Sequence, residues 1–223
     1  MWKKFQIGDD LNSRLGGKMF PVNGVKEIEN TIYIMLSNTG TLFSKAIGMY
    51  TRKELNHTSI AFDEQLNEMY SFGRKNKHNP FIGGFIREDA TSELFNRATC
   101  AIYKCQVSSH EYKQMRNKIR LMEQQKELYK YNLLGLFGLA MNMKIEREHA
   151  FFCSQFVATI MNESKSTKLN VPPYLVQPHH FEQLPMLKLL YKGQLQTYIF
   201  SKRGSEEPIQ VSAWEKYAFQ MQP

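Results

Sequence analysis

Cys153 and His57 are the two side chains whose surroundings best suit nucleophilic chemistry. Cys153 lies in Phe151-Phe152-Cys153-Ser154-Gln155-Phe156-Val157, and the apolar recurrence at Phe156, Val157, Ile160 and Met161 predicts a short amphipathic helix starting at the cysteine. The first backbone N–H groups of a helix lack intrahelical acceptors, and the macrodipole is positive there. Both effects favour a thiolate over a thiol. A cysteine nucleophile also needs an imidazole and a group that orients it. His57 opens the β-type run His57-Thr58-Ser59-Ile60-Ala61-Phe62, where a strand backbone could hold its ring. A lone histidine or a buried cysteine more often has a purely structural role.

The third member is sought by counting along a hairpin. A second β-type run, Asn67-Glu68-Met69-Tyr70-Ser71-Phe72, follows the histidine run. If Glu64-Gln65 is a two-residue turn, Asp63 pairs with Leu66, Ser59 opposes Tyr70 and His57 opposes Phe72. Tyr70 then shares a face with His57 and lies diagonal to it. Glu68 shares that face four residues along, roughly 13 Å away at ~3.3 Å per residue, and is the fallback. A one-residue change in the loop would instead bring Met69 and Ser71 to that face.

Other elements frame these runs. Thr31-Ile32-Tyr33-Ile34-Met35-Leu36 predicts a core strand, and Leu42 to Tyr50 a short helix. Gly73 to Gly84 is expected to be loop, broken by Asn79-Pro80 and Gly83-Gly84. Ala98 to Val107 predicts a strand with Cys100 and Cys105 on opposite faces. A helix capped by Ser108 or Ser109 runs to about Tyr129, with Glu111 in its first turn. Leu195 to Phe200 is expected to be the last strand, followed by a tail over 201–223.

Composition bounds the class. The chain has 223 residues, with 42% hydrophobic and 22% charged, enough for one sizeable domain with its own core. The net charge of +8 and a pI near 9.3 favour anionic partners, and a membrane surface is compatible. No nucleic-acid motif is present, and none is expected to bind. Three cysteines without metal-type spacing argue for a reducing compartment. The N-terminus has no apolar h-region, and Leu133 to Met143 is too short to span a bilayer. A soluble cytoplasmic protein is expected. His179-His180 beside Glu182 is a poor metal set, because adjacent histidines rarely turn both rings to one ion. Neither metal nor cofactor is expected.

The histidine run, its hairpin partner, Tyr131-Asn132-Leu133-Leu134-Gly135-Leu136 and Phe152-Cys153-Ser154-Gln155-Phe156-Val157 together resemble the circularly permuted NlpC/P60 superfamily, closest to its YiiX-like branch. The resemblance covers roughly Ile32 to Tyr198, and the histidine strand precedes the cysteine helix, the reverse of papain order. It implies an α+β papain-like domain over 1–200, with its core at about 31–200 and an antiparallel sheet packed on the helix bearing the cysteine. It further implies Cys153 as nucleophile, His57 as general base and a polar third residue in the next strand, a slot that falls at Tyr70. Tyr131 would contact substrate or oxyanion. The activity implied is thiol-dependent acyl transfer, that of an amidase, peptidase or esterase acting on a peptide, cell-wall fragment or lipid. A binding module of the same fold, holding an acyl or anionic ligand without turnover, is the competing expectation.

Overall fold

The structure, a computed structural model, describes residues 29–39, 53–74, 83–131 and 149–203, with side chains outside that description at 74 and 131. A six-stranded antiparallel sheet organises them. Its strands are β1 (Glu29–Asn38), β2 (His57–Ala61), β3 (Met69–Arg74), β4 (Gly83–Glu88), β5 (Thr99–Ser108) and β8 (Lys188–Gln194), in the order β4-β3-β2-β1-β5-β8. A separate parallel pair joins β6 (Lys130–Tyr131) to β7 (Ala150–Phe151). The helices are α1 (Ser109–Gln124), α2 (Cys153–Met161) and α3 (Leu195–Arg203).

β1 is flanked by β2 and β5 and covered on both faces, which explains why its middle is apolar without a break. Ile32, Ile34 and Leu36 join the core beneath α1 and α2, whereas Tyr33 and Met35 join a second core beneath α3. Cys105 belongs to the first core and Cys100 to the second, as their odd spacing predicts. α1 carries Met115, Ile119 and Met122 inward, and Ser108 caps it in a reciprocal box with Glu111. The helix ends at Gln124, earlier than the expected Tyr129.

α2 buries Phe156, Val157, Ile160 and Met161, the face its periodicity predicts. Phe156 enters an aromatic cluster centred on Phe72, whose ring lies 5.2 Å from that of Phe156, 5.1 Å from Phe151 and 6.0 Å from Phe85. This cluster fixes the cysteine helix against β3 and β4. Truncating a fully buried Phe such as Phe72 costs ~3–5 kcal/mol.

Three expectations are corrected. The β2–β3 connection is not a two-residue turn at Glu64-Gln65. Asp63 accepts from the backbone amides of Asn67 at 3.0 Å and Glu68 at 2.6 Å, and Leu66 adopts a left-handed φ of 61° that sends its side chain into the core. The pairing becomes Ile60 with Tyr70 and Ala61 with Met69, one residue from the expected register. The Gly73–Gly84 loop is bounded on both sides by paired strands, since β3 runs to Arg74 and β4 begins at Gly83. Leu195 to Phe200 is helical rather than a strand, because Leu195, Tyr198 and Ile199 recur at helical spacing and all three are buried.

The expected helix at 42–50, the segment 132–139 and the tail beyond 203 lie outside the described residues. No helix of the described residues is long and apolar enough to cross a membrane.

Candidate active site

His57 is the first residue of β2 and Cys153 the first of α2. α2 packs against β2 and β3 through the Phe72 cluster, on the face opposite to the one that His57 shares with Ala61, and Cys153 meets the His57 ring at the end of the strand. The ring of His57 has two partners. Its Nε2 lies 2.8 Å from Glu88 Oε1. The Cys153 side chain lies near enough to the ring to help raise its pKa. Cys153 is 5% exposed, whereas the His57 side chain keeps a fifth of its surface.

Glu88 is the last residue of β4 and is buried. Isolated burial would drive a carboxyl to its neutral form, but three donors hold it charged. Besides His57, Ser71 Oγ donates to Oε1 at 2.8 Å and Ser59 Oγ donates to Oε2 at 2.5 Å. Despite desolvation, the His57 charge and these hydrogen bonds hold the Glu88 pKa below its ordinary value. Burial alone would lower the His57 pKa. The Glu88 carboxylate outweighs it, with the Cys153 side chain contributing, and raises that pKa from 6.5 to about 10. The carboxylate thus favours the charged form of the ring.

The corrected register explains why Glu88 holds this position. Ala61 and Met69 pair and both enter the core beneath α3, so His57 and Ser59, which alternate with Ala61 along β2, share that face with Ser71. Met69 pairs with Glu88 on the other side, which puts the carboxylate on the same face.

Tyr70 alternates to the opposite face. Its ring stacks on Phe85 at 5.8 Å and meets Phe62 edge-on at 6.3 Å, inside the core beneath α1. Its hydroxyl donates to Glu68 at 3.3 Å, and burial pushes its pKa up to about 12. Glu68 pairs with Arg116 of α1 at 2.7 Å. Neither Tyr70 nor Glu68 is therefore the group on His57; Glu88 is. Tyr131 pairs through its backbone with Phe151, two residues before Cys153, but its side chain lies outside the described residues.

The sequence offered a signal for Glu88 that the turn count obscured. Two serines, Ser59 and Ser71, occupy buried strand positions. Buried hydroxyls in a sheet call for a polar partner, and Phe85-Ile86 ahead of Glu88 is apolar enough for a strand.

Burial pushes Cys100 up to about 12 and Cys105 to about 11, so both remain thiols at neutral pH. Among the described residues, no group of three or more His, Cys, Asp or Glu side chains is placed to hold a metal ion. His179 and His180 meet ring edge to ring face at 4.4 Å, and His180 Nδ1 accepts from the Gln177 amide at 3.2 Å. A groove of about 480 Å³ along α1, with Glu68 and Tyr70 in its wall, contains neither Cys153 nor His57.

No family model, curated protein or solved structure matches the chain.

Proposed function

We propose that the protein is a cysteine hydrolase of papain-like, permuted NlpC/P60 type. Cys153 is the nucleophile, His57 its acid–base partner and Glu88 the residue that orients and charges the ring. The observation that carries this reading is the buried Glu88 carboxylate 2.8 Å from His57 Nε2, with the Cys153 side chain at the helix start close enough to the same ring to perturb it.

A ring held in its charged form places the proton on His57 before chemistry begins. The sulfur then attacks as thiolate. Its electron pair forms the C–S bond, and the carbonyl π pair moves to oxygen. Phe152 at the helix N-cap supplies no side-chain cap, which suits the first backbone amides of α2 to receive that oxyanion. Collapse expels the amine or alcohol, which takes the proton from His57. Neutral His57 then accepts a proton from water as the water oxygen attacks the thioester, and the thiolate departs beside a restored imidazolium. The substrate is an amide or ester, of the peptide, cell-wall or lipid classes. The basic surface favours an anionic substrate or carrier.

An electrophilic acyl probe tests the assignment. Labelling should occur at Cys153, vanish in Cys153→Ala and fall at least about 100-fold in rate in His57→Ala. Equal labelling of Cys153→Ala, or labelling indifferent to His57, would overturn the reading.

A further inference from the structure

We propose that Ser59 and Ser71 are positioning residues that clamp the Glu88 carboxylate so that it holds the His57 ring aimed at Cys153. This rests on the catalytic reading of Cys153, His57 and Glu88. The two hydroxyls come from different strands, β2 and β3, and both serines are fully buried. A buried serine without a polar partner would be worse than alanine, so their presence calls for an acceptor. Each hydroxyl proton points at the carboxylate: Ser59 to Oε2 at 2.5 Å and Ser71 to Oε1 at 2.8 Å. A carboxylate rotates about its last bond. Holding both oxygens removes that freedom and leaves one lone-pair direction for His57 Nε2.

The division of labour is unequal. Oε1 receives both His57 and Ser71, whereas Ser59 is the protein donor on Oε2. Losing Ser71 leaves Oε1 with the imidazolium; losing Ser59 leaves Oε2 without a donor among the described residues. The structure thus predicts an order, Ser59 above Ser71, which generic packing loss would not produce.

The charged groups around the clamp are otherwise committed. Arg87, Asp89 and Arg203 line a cavity of about 240 Å³ that reaches Glu88. Arg87 donates to the Asn67 carbonyl at 3.1 Å, Arg203 to Asn67 Oδ1 at 3.5 Å, and Asp89 accepts from Thr91. On the histidine side the facing group is Cys153 of α2. None of these contacts is made to Ser59 or Ser71.

The test is the titration of His57, followed by NMR of ¹⁵N-histidine-labelled full-length protein, for wild type, Ser59→Ala and Ser71→Ala. The expected result is loss of the His57 proton ~1–2 pH units lower in Ser59→Ala and less than ~1 unit lower in Ser71→Ala, because a carboxylate freed to rotate no longer holds a lone pair on Nε2. Folded variants titrating as wild type would overturn the proposal, as would a larger shift in Ser71→Ala than in Ser59→Ala. If Ser59→Ala does not fold, Ser71→Ala decides alone: a downward shift supports the clamp and no shift ends it. No substrate is present in the measurement. A shift in a protein that proves inactive would overturn only the hydrolase reading, and an unshifted ring in an active protein only the clamp.

Discussion

Glu88 and Glu111 are both carboxylates gathered in by serine hydroxyls, and they differ in what stands on the far side. Glu111 accepts from the Ser108 amide and hydroxyl, from Ser164 Oγ at 2.6 Å, and from the amide and hydroxyl of Ser166. Every partner is neutral. Desolvation alone would raise its pKa, but the bonds from Ser164 and from the Ser166 and Ser108 amides together hold it down to about 2. The result is a fastener that ties the start of α1 to the turn after α2. Glu88 has fewer bonds, but one goes to a titratable ring that in turn touches a thiol. Hydrogen bonds to a carboxylate therefore do not mark a site by themselves. What marks it is that the charge is passed on to a group able to move a proton.

The sharpest way to break this comparison is to neutralise each glutamate without changing its shape. Glu88→Gln should lower the rate of Cys153 acylation by about 10²–10⁴-fold, since an amide cannot stabilise the imidazolium and can favour the wrong tautomer. Glu111→Gln should leave that rate within about two-fold. Comparable losses in both variants, measured as second-order rates with an acyl probe, would erase the distinction.

Stability against pH separates the two residues next. A His57 pKa raised from 6.5 to about 10 on folding means that its contribution is whole below 6.5 and is lost as pH rises towards about 10. Glu88, whose pKa is held below 4.5, contributes above that value and loses its contribution below it. Breaking the buried pair by Glu88→Gln should cost ~3–5 kcal/mol and flatten the alkaline limb. Glu111 contributes above 4.5 and loses its contribution as pH falls towards about 2, so Glu111→Gln should flatten only the acid limb. Its cost at neutral pH should be smaller, ~1–3 kcal/mol, because it is bonded only to neutral donors and partly exposed. Urea denaturation from pH 3 to 10 reads both limbs; an alkaline limb unchanged in Glu88→Gln would contradict the ion pair.

Much of this was legible from residue pattern alone. The helix beginning at Cys153, its buried face, the core strand β1 and the Ser108–Glu111 cap all follow from local periodicity and capping chemistry. What was not legible depends on one residue of register. The side-chain carboxylate of Asp63, bonding two amides ahead of it, lengthens the β2–β3 connection and rotates every β3 side chain to the other face relative to His57. A Gly-Gly pair then disguises the start of β4, the strand that delivers Glu88. Turn chemistry set by a side chain rather than by a Gly or Asn at its centre gives little composition signal, and a slip of one is enough to exchange Tyr70 for Ser71. The last helix is obscured for the opposite reason: its pattern at Leu195, Tyr198 and Ile199 is present in the sequence, but Tyr198 and Ile199 are residues that also favour strands.

The smallest expected effect tests that slip directly. Tyr70→Phe keeps the ring stacked on Phe85 and removes only a hydroxyl whose bond to Glu68 is 3.3 Å long. Glu68 retains Arg116 at 2.7 Å, so no buried charge is left alone. The loss should be at most ~1 kcal/mol, with the acylation rate and the His57 titration unchanged. In the alternative register Tyr70 would be the group on the ring, and its hydroxyl would matter as much as the Glu88 carboxylate. A ten-fold fall in rate on Tyr70→Phe would therefore transfer the orienting role from β4 back to β3, and with it the reason for burying Ser59 and Ser71.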